Sequence, residues 1–279
     1  MRSGPGAVSP AVALALELDP ELGAGVWPED WAAARQACRG ELVVVPQGRW
    51  TPPEAAGDRD DILGLVIVDG LLCREVALGD RHMLELLGRS GVLQLPVLAS
   101  RPRLGGRIEL TALSDLKLVV LGRSFIEAAA RWPSLLAALA RRLETQRENL
   151  AIQGLIAHLP KAEDRLLLTL WHLAERFGHV TPQGTVLPLP FSHEVLGQLI
   201  AARRPTATLA VNALVSQGSV DRLADRSWLL TDLAARRMEA ILSTSHPSPV
   251  LGGELTLWWA ANELRADSRA VGAQASSAG

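Results

Sequence analysis

Two cysteines are all that the 279 residues contain, and Cys38 and Cys73 lie far apart with no Cys or His cluster around them. A structural zinc or iron–sulfur site needs about four such ligands, usually closely paired, so neither is supported. Isolated thiols of this kind read as buried and inert, and redox sensing by the pair has no motif behind it. Long apolar runs are missing too. Asp, Glu, Arg or Gly interrupts each one short of the roughly 20 residues needed to span a bilayer. Met1 to Pro10 carries one Arg and too little apolar length for a secretory signal. The expected compartment is the cytoplasm, without a membrane partner. Catalytic signatures are lacking as well: no G-x-S-x-G, Walker loop, dinucleotide fingerprint or Ser/His/Asp arrangement is legible, so no enzyme is expected. The histidines (His82, His158, His172, His179, His193 and His246) show no metal-ligand spacing.

Excess charge of one sign is also absent. The formal net charge is −2, and between Lys161 and Glu239 there are 9 Lys+Arg against 8 Asp+Glu, a net of +1. Electrostatics alone announces no polyanionic partner, so any such partner must be argued from pattern. What is present is ordinary globular material: 48% hydrophobic and 21% charged residues, enough to fill cores. The length suits two modest domains better than one.

Residues 1 to about 40 alternate short helical patterns with breaks at Asp19-Pro20, Gly23, Gly25 and Pro28. From Glu41 to about Leu121 the period shortens, and β-like runs appear at Leu42–Val45, Leu63–Val68, Leu71–Val76, Val92–Leu98, Arg107–Leu110 and Leu116–Val120. Asp69-Gly70, Gly79-Asp80, Arg89-Ser90-Gly91 and Gly105-Gly106 separate them, and Asp69-Gly70 between two apolar runs predicts a two-residue hairpin. Many short strands with frequent turns suggest a small barrel or roll. A long helix then starts at Pro133-Ser134 and runs to about Leu159, before Pro160. Leu136, Leu143, Leu150 and Ala157 stand seven apart along it, with Leu139 three after the first. This is a coiled-coil-like seam whose companion positions turn polar at Gln146 and Gln153. Spacing alone leaves two readings open, a dimer seam or an amphipathic helix packed on its own domain.

Lys161–Phe177 predicts a second helix with Leu166, Leu167, Leu170, Trp171 and Leu173 on its apolar face. Val180–Leu189 predicts a small hairpin turning at Gln183-Gly184. Ser192 can cap a short helix over Glu194–Ile200, and after Ala201-Ala202 a longer helix opens at Arg203-Arg204-Pro205-Thr206 and continues to about Ser216. Gly218 ends it, Val220 starts a strand, and Trp228-Leu229-Leu230 returns. The tail after Thr244 is rich in Pro, Gly, Ser and Ala and reads as mostly disordered. Its Trp258-Trp259 pair either anchors a partner or a membrane edge, or folds back on a domain.

Helix, hairpin, short helix, tight turn, longer helix and two strands make a winged helix-turn-helix. The short helix must cross the longer one steeply, so the small Ala201 and Ala202 are placed where the backbones approach. Leu196 and Leu199 can then pack on Ala207, Ala210, Val211 and Leu214. That leaves Arg204, Pro205, Thr206 and Thr208 near the outer, N-terminal face that meets base edges and phosphates in such folds. Pro205 suits a first helical turn, where a missing amide hydrogen costs nothing.

The stretch L-P-F-S-H-E-V-L-G-Q-L-I-A-A-R-R-P-T-A-T (Leu189–Thr208) resembles the signature of the Crp/Fnr family of bacterial regulators, typically L-T-H-E-x-L-A-x-L-V-G-A-R-R-P-T-V-S-R. Glu163–Ala174, E-D-R-L-L-L-T-L-W-H-L-A, is similar to the first helix of that family's DNA-binding domain. The resemblance implies an α+β chain. Residues 1–132 would form a degenerate cyclic-nucleotide-binding-like β-roll sensor, 133–159 a dimerisation helix, 160–244 a winged helix-turn-helix, and 245–279 a flexible tail. It favours the dimer reading of the long helix, with Leu136, Leu139, Leu143 and Leu150 in the seam. It assigns DNA contact to Ser192, His193, Arg203, Arg204, Pro205, Thr206 and Thr208, although a capping or surface role for His193 stays open. The implied partners are double-stranded DNA with inverted-repeat half-sites and a second copy of the chain, with RNA polymerase as a candidate third.

Two departures qualify the resemblance. Leu209 stands where relatives usually carry an Arg that contacts bases or phosphate, which leaves the target sequence open; a leucine there could touch a thymine methyl. The cyclic-nucleotide pocket is dismantled. Gly105-Gly106 occupies the place of the Arg-Ser pair that holds phosphate, Leu95-Pro96 that of the Glu, and Leu150-Ala151 that of a Thr-Ser pair, while Arg107 is two residues out of place. A phosphate needs a charged fork or a ring of amides to offset desolvation, so cyclic AMP is not expected as effector and no other cofactor is implied. The roll is left to sense another ligand, to sense nothing, or to serve as a protein-interaction platform.

Overall fold

The computed structural model describes residues 11–52, 62–94 and 106–243. Leu95-Pro96, Gly105, the end of the Val92–Leu98 run and the tail with Trp258-Trp259 lie outside the described residues. The chain divides into one compact unit reaching Ala235 and a second beginning at Arg236.

The first unit opens with strand β1 (Ala11–Leu14), helix α1 (Ala15–Leu18), a 3-10 turn (Pro20–Gly23) and helix α2 (Trp31–Ala37). Strands β2 (Arg39–Val45), β3 (Gly48–Trp50), β4 (Gly64–Asp69), β5 (Leu72–Leu78), β6 (Arg81–Leu87), β7 (Val92–Leu93), β8 (Arg107–Ala112) and β9 (Leu116–Leu121) follow. They pair antiparallel in two sheets, β1-β2-β9-β4-β7 and β3-β8-β5-β6. Strand β4 is buried on both faces because it lies between two cores. Leu65 and Ile67 join Leu72, Leu87, Leu110 and Leu118 inside the roll. Val66 and Val68 face the other way, into a layer with Leu16, Phe125 and Leu135. Alternation of side chains across a strand lets one sheet serve both.

Asp69-Gly70 is not a hairpin. β4 pairs with β7 and β9, whereas β5 pairs with β6 and β8, so the dipeptide is a corner where the chain changes sheet. Gly70 has φ +93, and a Cβ there would sit 2.2 Å from the Asp115 carbonyl oxygen, a demand that a local turn signal shares with a corner. The two-residue hairpin is Gly79-Asp80, between Leu78 and Arg81 of β5 and β6. Strand β6 escapes the sequence pattern because Arg81, His82 and Glu85 break its apolar run.

Helices α3 (Arg123–Arg131), α4 (Ser134–Ala157) and α5 (Ala162–Phe177) come next. Helix α4 is pinned in its first half by Arg142, whose guanidinium donates to both carboxylate oxygens of buried Asp19 at 2.5 and 2.8 Å. The two glutamines that interrupt the leucine spacing dock the helix on its own roll. Gln146 Nε2 donates to the Val92 carbonyl at 3.1 Å while its Oε1 accepts from the Val92 amide at 2.8 Å, and Gln153 Nε2 donates to the Leu84 carbonyl at 2.7 Å. Among the seam positions, Leu139 is 5% exposed and belongs to the helical core layer, and Leu143 packs against that layer. Leu136 is 45% exposed and Leu150 half-buried. At 3.6 residues per turn, Leu136, Leu143 and Leu150 run along the flank of α4, roughly a quarter turn from its docked face.

From α5, Arg176 donates to the Leu86 carbonyl at 2.7 Å. Beside it Glu85, 4% exposed, is paired with Arg74. Burial pushes the Glu85 carboxyl above its usual range, while Arg74 first and then Arg176 and Gln146 pull it back. In the last described helix, α8 (Asp232–Ser243), Ser243 Oγ donates to the Ala240 carbonyl at 3.0 Å. No described helix is long and apolar enough to cross a membrane.

Candidate nucleic-acid interface

After α5 the chain forms β10 (His179–Thr181) and β11 (Gly184–Leu187), then α6 (His193–Leu199), α7 (Arg204–Ser216), β12 (Val220–Arg222) and β13 (Trp228–Leu230). The four strands make one antiparallel sheet, β10-β11-β13-β12. Its first hairpin turns at Pro182-Gln183, with Thr181 opposite Gly184; Gly184, at φ +138, follows the turn instead of forming it.

Ser192 caps α6, its Oγ accepting from the Val195 amide at 3.2 Å and satisfying one of the helix's free donors. The following turn needs Ala201 at φ +51, a left-handed conformation uncommon for a residue with a Cβ. Ala202 N donates to the Gly197 carbonyl at 2.8 Å and closes it. The close backbone approach is between Gly197 and Ala202: a Cβ on Gly197 would sit 2.8 Å from the Ala202 carbonyl oxygen. Sequence reading missed this glycine because a helical Gly carries no pattern signal of its own. Leu196, Leu199, Ala207, Ala210, Val211 and Leu214 are all buried as the two helices pack.

Arg203, in extended conformation (φ −74, ψ 153), leads into α7, with Pro205 in the first turn. Arg203, Arg204, Pro205 and Thr206 are exposed. Among the described residues neither arginine forms an ion pair. Asp225, an obvious competitor for them, instead closes its own turn in the β12–β13 wing. Its Oδ1 accepts from the Ser227 amide at 2.9 Å and hydroxyl at 2.6 Å, and these bonds hold its carboxyl below the usual range. Thr208 is half-buried: its hydroxyl donates to the Arg204 carbonyl at 3.0 Å and lies 3.0 Å from His193 Nδ1. Thr208 and His193 share one hydrogen bond between α6 and α7. His193 thus braces one helix against the other.

The wing is held at its base by Arg222, which donates twice to the Phe191 carbonyl at 3.2 Å and stacks over the buried Trp228 ring at 4.1 Å. Arg226 adopts φ +69 at the wing turn. Sequence reading passed over both, since their roles depend on contacts across the sheet.

Elsewhere, a cavity of about 160 Å³ lies between the roll and α4, lined by Leu63, Val92, Leu121, Leu139 and Leu143, with Gln94 polar among its described lining. Arg107 heads β8, opposite Ala77. Among the described residues no group of three or more His, Cys, Asp or Glu could hold a metal ion.

The family model described as a Crp-like helix-turn-helix domain matches residues 164–235. No curated protein matches the chain. Among solved structures, a CooA mutant from Carboxydothermus hydrogenoformans aligns at TM-score 0.59 and 17% identity, over 80% of this chain and 94% of that one. TTHB099, a CRP-family transcriptional regulator from Thermus thermophilus, aligns at TM-score 0.52 and 20% identity, over 71% and 95%. The c-di-GMP responsive regulator CLP of Xanthomonas campestris aligns at TM-score 0.52 and 18% identity, over 72% and 99%. At such identities the likeness is one of fold. The chain carries a Crp-like helix-turn-helix domain over residues 164–235, within the fold shared by CRP/FNR regulators.

Proposed function

We propose that this protein is a cytoplasmic, homodimeric transcription regulator that binds inverted-repeat DNA through α7 and is not controlled by cyclic AMP. The observation that carries the DNA-binding reading is the start of α7, where Arg203 and Arg204 stand exposed without an ion-pair partner among the described residues. A free helix N-terminus and two guanidiniums suit phosphates and base edges together. The dimer forms along the Leu136, Leu143 and Leu150 flank of α4, which adjoins the face already docked on the roll. Two copies of α7 then enter successive major grooves about 34 Å apart.

The effector reading rests on chemistry. Among the described residues the lining of the cavity beside α4 is apolar apart from Gln94, whereas a cyclic nucleotide brings a phosphate that needs charged or amide donors. Leu150 and Ala151 offer no hydroxyl from the helix. A small apolar ligand fits better than a nucleotide.

Selection of bound fragments from random DNA, followed by gel shifts at two salt concentrations, tests the main reading; no enrichment over random sequence would overturn it. Sedimentation of a Leu136→Lys, Leu150→Lys double variant tests the dimer: a sedimentation coefficient unchanged from wild type would refute that seam. Calorimetric titration showing micromolar cyclic AMP binding would refute the effector reading.

A further inference from the structure

The outer face of α7 is less polar than a base-reading face built on hydrogen bonds. Leu209 is 70% exposed and lies on the side of the helix opposite the buried row of Ala207, Ala210, Val211 and Leu214. With Arg204, Pro205 and Thr208 it lines one shallow depression on this face. Pro205 has no amide hydrogen. The Thr208 hydroxyl has committed its hydrogen to the Arg204 carbonyl and faces His193 Nδ1. Of the four lining residues, Arg204 alone keeps side-chain donors for a base edge.

An apolar side chain held against the major groove has one matching feature to meet, the pyrimidine C5-methyl group. We infer that Leu209 reads the methyl of a thymine in each half-site, beside the base pair met by Arg204. This rests on the DNA-binding reading above and deepens it. Arg204 supplies the polar contact at the N-terminal end of the depression. Leu209, about 7.5 Å further along the axis at 1.5 Å per residue, supplies the apolar one. Burial of one methyl corresponds to about fourfold in affinity. The same methyl is carried by 5-methylcytosine, so the chemistry recognised is shared by two bases.

The experiment begins with sites selected by the full-length wild-type protein from random DNA. Each thymine of the half-site is then replaced by uracil, which pairs identically and lacks only the methyl. The expected result is one position at which uracil weakens binding about fourfold, or more when both half-sites are changed. Leu209→Ala is expected to bind the thymine and uracil sites equally, with its melting temperature unchanged because Leu209 packs little within the fold. Leu209→Ile, which keeps an apolar body, should retain part of the preference. At the sensitive position, a 5-methylcytosine·guanine pair bound more tightly than cytosine·guanine makes methylated cytosine a second source; equal binding of the two names thymine. The inference is overturned if no thymine is sensitive to loss of its methyl, or if Leu209→Ala keeps the full sensitivity. Failure to enrich any site overturns the DNA-binding reading itself, and so is distinguishable from failure of the methyl contact.

Discussion

The Arg176 guanidinium donates to the Leu86 carbonyl at 2.7 Å, tying the first helix of the winged domain to strand β6 of the roll. Glu85, one residue earlier on that strand, is buried with Arg74 paired to it; burial pushes its carboxyl above the usual range, and Arg74 and Arg176 pull it part of the way back. Its carboxylate lies between the Arg74 and Arg176 guanidiniums, and Arg176 is desolvated by burial. Glu85→Ala should therefore cost roughly 3–5 kcal/mol by leaving buried cations uncompensated. Glu85→Gln should cost less, because it preserves hydrogen bonding. Urea unfolding of both variants measures this; equal and small losses would show that the junction does not depend on the charge.

Gln146 makes two hydrogen bonds to the backbone of Val92. Gln146→Leu would extend the apolar spacing of α4, yet it strips a partly buried amide and carbonyl of their partner. At about 1 kcal/mol per bond, a loss near 2 kcal/mol is expected in thermal or urea unfolding. A stabilised variant would mean that the helix binds the roll through apolar contact alone.

Stability should fall as pH drops below about 6.5. His172 on α5 is buried, and burial first, then Arg176, push its ring below the usual histidine value. Between that lowered value and the ordinary one, the unfolded chain takes up a proton that the folded chain refuses, so acid favours unfolding. His172→Gln should flatten the dependence between pH 7.5 and 5.5. Unfolding curves whose pH dependence matches wild type would remove His172 as the cause.

Native protein should resist alkylation. Burial pushes the Cys38 and Cys73 thiols each up to about 11, and the thiolate is the reactive form. Iodoacetamide at pH 7.5 should label neither until denaturant is added, as mass spectrometry can follow; rapid labelling of the folded chain would reopen a redox role.

Arg204→Ala should lower DNA affinity and relax preference at one position per half-site, since a bidentate arginine–guanine contact is worth roughly 1–3 kcal/mol of discrimination. Arg203→Ala should weaken all sequences alike and reduce the salt slope by about one unit. Binding curves for both variants that overlay wild type at two salt concentrations would make the pair mere solvated helix-end charges.

The winged domain was legible from residues alone because its signals are local. A capping serine, a proline in the first turn and leucines at helical spacing each act within one or two turns of chain, and Ser192, Pro205, Leu196 and Leu214 all do what their positions imply. Most of the roll's strands were visible for the same reason; β1 and the three-residue β3 were not, nor was β6, where charged residues interrupt the alternation. Partnership across distance was decided by the tertiary structure alone. Asp69-Gly70 carries the same turn chemistry whether β4 and β5 pair with each other or part into two sheets, and only the rest of the roll chooses. Gln146 and Gln153 look like flaws in a seam until the backbone of Val92 and Leu84 lies beside them. Glu85 looks like a surface charge until Arg74 and Arg176 arrive from elements 11 and 91 residues away. Local propensity specifies elements; burial and the need to satisfy every polar group within it specify who meets whom.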